Sequence, residues 1–423
     1  MALQHAEDTR PLDQMTLLDP ASLKCPYHYD HMLREQAPVH RDPATGVYIV
    51  STYELVREAH RKPQVFSNEF VLEMGSSEGI SDLDLKAAVA SHPNLKKGTL
   101  LTIDDPDHKI FRDAVKEFFT AEHIKTYEPW IRERTRVLLD SLAQKQQCNF
   151  VEEFTRPLPL SVIMHVLGMP PDMFDLAFKW TVDNVHVLSN IADKECLIAA
   201  HHGLRDEYAW FQQALEERRG KPLEDLLGLI ANAKYQDRPC TLEEQLSFCT
   251  QFLVAGNETT TATLAEGMRQ LCLFPEQAAK VREDRSLIPN LVEESLRLAS
   301  PTSNMWRITR SDYTLGGVDI PANSMVLLKY FSANHDESIF EDPLGFDITR
   351  DNIKRHIAFG FGTHVCIGQH LSKLEMIVAW EEIFDRLDNL ALAVPAGELE
   401  YMPNVLLRGL EEIPISYTAK NFS

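Results

Sequence analysis

No apolar run in this chain approaches the ~20 residues needed to cross a bilayer. The opening segment from Met1 to Arg10 is polar and lacks the apolar core of a secretory leader. Positive charge is scarce: 42 Lys and Arg against 63 Asp and Glu leave a formal net charge of −21, which argues against nucleic acid as a partner. Paired cysteines are missing as well. Cys25, Cys148, Cys196, Cys240, Cys249, Cys272 and Cys366 are odd in number and show no C-x-x-C spacing. That argues against a disulfide framework and a structural zinc site, and it fits reduced thiols in a cytoplasm. There is no internal repeat, no low-complexity tract and no linker rich in Gly, Ser or Pro. What is present is ordinary for a globular protein, 44% hydrophobic and 25% charged over 423 residues. The length would allow two domains. The spread of motifs favours one, over 1–423, with a short N-terminal tail to about residue 20.

Coarse patterning indicates a mainly α protein with a minor β region. Val47 to Val50 reads as a strand and Thr52 to Arg61 as a short helix. Asn68 to Gly98, rich in Ser, Gly, Asp and Lys, reads as a long irregular connection of the kind that lines binding sites. From Asp105 to about Lys280 apolar residues recur at helical spacing, broken at prolines. Thr241 with Glu244 forms a capping box for a helix expected to run to Phe274, about 50 Å at 1.5 Å per residue. A second helix is expected from near Pro289 to Ser300. Short strands follow at Trp306 to Thr309, Tyr313 to Leu315 and Met325 to Leu328. A last long helix is expected after Cys366, to about Leu387.

The most informative stretch is Phe359-Gly360-Phe361-Gly362-Thr363-His364-Val365-Cys366-Ile367-Gly368. It places one cysteine in a glycine-punctuated loop just before a helical segment. A thiolate there is favoured by free N–H groups and the positive end of the helix dipole. Taken alone, Cys366 could still be an inert core cysteine. The ten residues resemble the heme-binding signature of the cytochrome P450 family, F-x-x-G-x-[HR]-x-C-x-G, at every fixed position. The resemblance extends from about Pro26 to Gly409–Pro414. It implies a P450 fold, with heme b (iron protoporphyrin IX) between a long central helix and the Cys-bearing loop. Cys366 would be the axial ligand to iron, with Phe359, Gly360 and Gly368 around the cofactor.

Three further motifs appear in the family's order. Ala255-Gly256-Asn257-Glu258-Thr259-Thr260 lies in the expected central helix, where glycine and β-branched residues are costly. A threonine hydroxyl can bond back to a carbonyl one turn earlier and open a groove. By resemblance Ala255 flanks the heme, and Glu258 and Thr259 are the acid–alcohol pair that delivers protons during dioxygen activation. Glu294-Ser295-Leu296-Arg297 sets opposite charges at i and i+3, alone no more than a surface bridge. By resemblance this pair locks to Arg350 and holds the cysteine loop. Cations are expected at the heme propionates: His108 and Arg112, one helical turn apart, with Arg307 and His364.

The resemblance implies a monooxygenase that inserts one oxygen atom from O2 into a small hydrophobic organic substrate. Electrons would come from NAD(P)H through a separate ferredoxin or flavodoxin and its reductase, docking near Lys109, Arg112 and Lys373. The enzyme would be cytoplasmic and monomeric, with no membrane or nucleic-acid partner. The substrate pocket would include Leu100, Leu101, Val185, Val254, Ser303, Leu406 and Leu407, with Arg408 as a charged candidate anchor. Two other readings keep the heme: a peroxide-driven peroxygenase, which the intact Glu258–Thr259 pair disfavours, and a ligand sensor without turnover.

Overall fold

The helical stretches expected from apolar periodicity are present in the computed structural model, which describes residues 10–70, 82–93, 98–189, 193–222 and 224–420. The chain divides into two compact units. One comprises Met1–Phe66, Ile124–Leu158 and Glu258–Ser423; the other comprises Ser67–His123 and Pro159–Asn257.

The first unit is organised around the helix Glu258–Leu273, in which every residue from Thr260 to Leu271 is buried. A helix buried on all sides shows little apolar stripe and must pack closely on its neighbours. Gly267 permits this, because a Cβ there would lie 2.7 Å from both Ser295 Oγ and Trp380 Cζ2. Those residues belong to the helices Ile288–Ala299 and Gln369–Arg386. Beside them stands a sheet in which Tyr48–Val50 pairs antiparallel with Val39–Arg41 and parallel with Met325–Lys329. Met325–Lys329 in turn pairs antiparallel with Asn304–Thr309. The expected strand at Tyr313–Leu315 forms a small hairpin with Val318–Ile320. Residues 10–19 are not loose: Met15 and Leu17 are buried, and the Leu17 amide donates to Asp42 Oδ2 at 2.6 Å.

The second unit is helical. Its chief helices are Asp107–Val115, Phe174–Ser189, Lys194–Arg218 and Leu242–Ala255. The Thr241–Glu244 capping box is formed, with both reciprocal hydrogen bonds in place. Two expectations need correction. The helix that starts there does not run unbroken to Phe274; it ends at Ala255, and another begins at Glu258. Gly256 is the reason. It costs helix propensity, and Ile163 fills the space where its Cβ would stand, with two carbons at 2.9 Å. Secondly, the connection from Asn68 to Gly98 is not wholly irregular. It contains the helix Leu83–Val89, capped by Asp82, which accepts from Asp84 N and Leu85 N at 3.0 Å each. The rest of that expectation, at 71–81 and 94–97, lies outside the described residues.

Candidate functional site

The loop that carries Cys366 is built by its glycines. Gly360 and Gly362 have φ of 72° and 75°, values open to glycine and costly elsewhere. They fold the chain back so that the Cys366 amide donates to the Phe359 carbonyl at 2.9 Å. Gly368 is the N-cap of the helix Gln369–Arg386. A Cβ there would lie 3.9 Å from Cys366 Sγ. Cys366 therefore sits two residues before a helix N-cap and is partly exposed. Elsewhere burial pushes the thiols of Cys148 and Cys272 up to about 12 and that of Cys240 to about 11. Such groups stay neutral.

Next to this loop the structure gathers nitrogen groups. Arg307, on the strand Asn304–Thr309, is 2% exposed and has no carboxylate partner among the described residues. Its guanidinium donates to its neighbour's carbonyl, Trp306 O, and approaches His60 Nδ1 at 3.5 Å. Tyr330 meets the same guanidinium. His364 is close enough to depress His60 electrostatically. Neither His60 nor Tyr330 was found from sequence, since no motif marks them. The only signal was the amphipathic face of Tyr53–His60, whose buried residues are Tyr53, Val56, Ala59 and His60. A buried guanidinium without a counter-charge is costly. The group that would resolve the cost is an anion, and the acid side chains of an iron protoporphyrin fit it.

Glu294 and Arg297 are both fully buried and share two hydrogen bonds of 2.7 and 2.8 Å. Arg297 also donates to the carbonyls of Asn334, Pro343 and Gly345. Arg350 reaches Glu294 Oε1 at 3.3 Å and the carbonyls of Glu341, Asp342 and Gly345. The structure thus brings Glu294, Arg297 and Arg350 into one network. It is not a surface bridge.

Glu258 opens the helix Glu258–Leu273. Burial raises its carboxyl above the ordinary range, against the pull of Arg156. The three threonines that follow diverge. Thr260 Oγ1 lies 3.0 Å from Ser372 Oγ, and Thr261 Oγ1 donates to Thr155 O at 2.9 Å. The back-bond one turn earlier is made by Thr263 to the Thr259 carbonyl, at 2.9 Å.

In the second unit His108 and Arg112 share a face of Asp107–Val115. His108 is buried, with Nδ1 3.3 Å from Asp105 Oδ1. Ala255 ends its helix in an exposed position. Leu100 and Leu101 are tied to the helix Leu242–Ala255 through Gln251, which accepts from Leu101 N at 3.0 Å and donates to Thr99 Oγ1 at 3.0 Å. Leu100, Leu101, Val185 and Val254 are half-buried. In the first unit Ser303 donates its hydroxyl to the Leu406 carbonyl, Leu406 is buried, and Leu407 forms a bridge with Thr302. Arg408 is no open anchor: it is buried, with its guanidinium 3.5 Å from the Tyr401 ring centroid. The expected basic cluster is also locally neutralised. Lys109 pairs with Asp113 at 2.6 Å and Lys373 with Glu293 at 2.7 Å.

Known proteins resemble this chain in sequence and fold. The family model for cytochrome P450 matches residues 197–391. A steroid C26-monooxygenase of Mycobacterium tuberculosis is 31% identical over 386 residues, covering 91% of this chain and 98% of the relative. A biotin biosynthesis cytochrome P450 of Bacillus subtilis is 30% identical, covering 93% and 97%. Among solved structures, cytochrome P450 CYP109Q5 from Chondromyces apiculatus is similar with a TM-score of 0.84 at 32% identity, over 96% of this chain and 99% of its own. The chain belongs to the cytochrome P450 family and is a monooxygenase, an oxidoreductase of the class that works with heme iron and dioxygen.

Proposed function

We propose that the whole chain acts as one catalytic domain that binds heme b through Cys366 and hydroxylates an aliphatic carbon of a hydrophobic molecule. Steroids and long acyl chains are the substrate classes to test first. The names of two relatives support that choice: the steroid C26-monooxygenase, and P450BioI, whose structure is described in complex with an acyl carrier protein carrying hexadec-9Z-enoic acid. The observation that carries the reading is the buried Arg307 without a counter-charge, beside a cysteine loop at a helix start.

Bound heme supplies the activation of dioxygen and the transfer of one oxygen atom. Cys366 holds it as a thiolate, kept ionised by the N-terminal end of Gln369–Arg386. Phe359, Gly360 and Gly368 shape the loop for close approach. Ala255, at the end of its helix, flanks the cofactor. Arg307, His364, His108 and Arg112 take its acid groups. Glu294, Arg297 and Arg350 fix the segment that leads into the loop. Thr259 would supply the hydroxyl that orients protons for dioxygen activation. Glu258, with its carboxyl raised by burial, exchanges a proton closer to neutral pH than an exposed glutamate does. Leu100, Leu101, Val185, Val254, Ser303, Leu406 and Leu407 border the substrate.

Electrons arrive from NAD(P)H through a separate ferredoxin or flavodoxin. Arg57 and Arg61 are among the cations beside the cysteine loop, their guanidinium carbons 4.5 and 5.6 Å from the Phe361 ring centroid. An acidic redox protein suits them, and its reduction rate falls as salt rises.

The test is product formation from a panel of steroids and fatty acids. It compares NADPH with a ferredoxin and its reductase against hydrogen peroxide alone. Hydroxylated product only with the electron-transfer proteins supports the proposal. Turnover sustained by peroxide alone, with none from the reductase system, replaces it with a peroxygenase.

A further inference from the structure

His60 is the last residue of the helix Tyr53–His60, and nothing in the site described above gives its side chain a task. It is only 7% exposed. Its ring lies 5.4 Å from that of Tyr330, tilted by 35°, and meets Phe361 of the cysteine loop edge-on at 6.4 Å. Its backbone supports the same loop, since a Cβ on Gly362 would stand 3.2 Å from the His60 carbonyl oxygen.

The protonation state follows from its surroundings. Burial, with Arg307 and His364 adding charge of the same sign, holds the imidazole well below its ordinary range, so the ring is neutral. The neighbour of Nδ1 is an Arg307 nitrogen at 3.5 Å. Arginine only donates, so Nδ1 accepts and the single proton resides on Nε2. Nε2 has no hydrogen-bond partner among the described residues. A buried N–H without an acceptor costs on the order of 1–3 kcal/mol. It also stands beside a buried arginine that lacks a counter-charge.

We infer that His60 is a cofactor-binding residue. Its Nε2–H donates to a propionate of the bound heme, and its Nδ1 orients the Arg307 guanidinium toward the same acid group. The inference rests on the proposed heme binding. A neutral donor there adds a hydrogen bond without adding a further positive charge to the one Arg307 already carries.

The experiment measures how fast heme leaves the purified holoenzyme to excess apomyoglobin. It uses wild type, His60→Phe and His60→Gln, each loaded with either heme or its dimethyl ester. His60→Phe keeps the aromatic packing but has no donor, and should lose heme roughly ten- to a hundredfold faster. His60→Gln offers an amide N–H near the position of Nε2 and should stay close to wild type. With the dimethyl ester, which has no acid group, His60→Phe and wild type should lose cofactor at the same rate. If His60→Phe does not fold, His60→Leu takes its place. An unchanged heme-loss rate overturns the inference. An equal acceleration with heme and ester does too, because His60 would then act only through packing. In both cases a wild type with a thiolate–heme spectrum leaves the functional proposal standing. A wild type that takes up no heme overturns both.

Discussion

Glu294 and Arg297 meet through two hydrogen bonds inside the protein, and neither side chain is exposed to solvent. The sequence spacing alone would allow a helix-surface pair worth only a few tenths of a kcal/mol. Burial changes the consequence of breaking it. Removing one partner leaves the other charge in a low-dielectric interior, at a cost of about 3–5 kcal/mol. Glu294→Ala and Arg297→Ala should each lower the denaturant midpoint sharply and yield little heme-loaded protein. Arg297→Lys should fail as well, because one ammonium cannot span Glu294 and the carbonyls of Asn334, Pro343 and Gly345. Normal stability and heme content in these variants would refute the assigned role.

Thr259 is the residue assigned to the proton path, and Thr263 serves as its control. The hydroxyls of Thr260 and Thr261 are engaged with Ser372 and Thr155, and that of Thr263 with the Thr259 carbonyl. Thr259→Ala is expected to retain heme and substrate binding while product formed per NADPH falls severalfold, the electrons appearing as peroxide or water. Thr263→Ala should remain well coupled. Equal coupling in both variants would remove Thr259 from the proton path.

The break between Leu242–Ala255 and Glu258–Leu273 depends on space as well as propensity. A methyl group at Gly256 would meet two Ile163 carbons at 2.9 Å and the Phe252 carbonyl at 3.1 Å. Gly256→Ala should therefore destabilise by about 1–3 kcal/mol, despite alanine's better helix propensity. Adding Ile163→Val should restore part of the loss. A Gly256→Ala variant as stable as wild type would show that the neighbours yield freely.

Glu207 gives a pH dependence of defined sign. It is fully buried on the helix Lys194–Arg218 and accepts from Asn184 Nδ2 at 2.6 Å and Thr250 Oγ1 at 2.9 Å. Burial raises its carboxyl to about 8, against those two hydrogen bonds. Between its ordinary value of 4.5 and about 8 the folded protein holds a proton that the unfolded chain releases. This contribution to stability is complete below 4.5 and disappears as pH rises through 8. Glu207→Gln, whose amide can face a rotated Thr250 hydroxyl, should melt like wild type at pH 5. At pH 9 it should be more stable than wild type, by an amount on the order of a few kcal/mol. Parallel melting curves across that range would show that Glu207 does not titrate there.

The parts legible in sequence were those where local chemistry and long-range role coincide. The glycines around Cys366 announce a loop with positive φ before a helix, and the observed angles at Gly360 and Gly362 are of that kind. The helix bounds near Tyr53, Ile288 and Gln369 follow from apolar period and proline placement. Other features arise only from tertiary packing. His60 belongs to no motif and acquires its setting from Arg307, 247 residues later. The interruption at Gly256 depends on Ile163, the fate of Arg408 on the Tyr401 ring, and the neutralisation of Lys373 on Glu293. A capped seven-residue helix at Leu83–Val89 was hidden because its flanks are as polar as a loop.

The central claim is that Cys366 binds heme iron as a thiolate. The most direct test is the absorption spectrum of the purified, reduced protein under carbon monoxide, with Cys366→His beside it. A strongly red-shifted Soret band in wild type, displaced to shorter wavelength in Cys366→His, is the expected result. A wild-type band already at the shorter wavelength, or no heme band after expression with heme supplied, would contradict it.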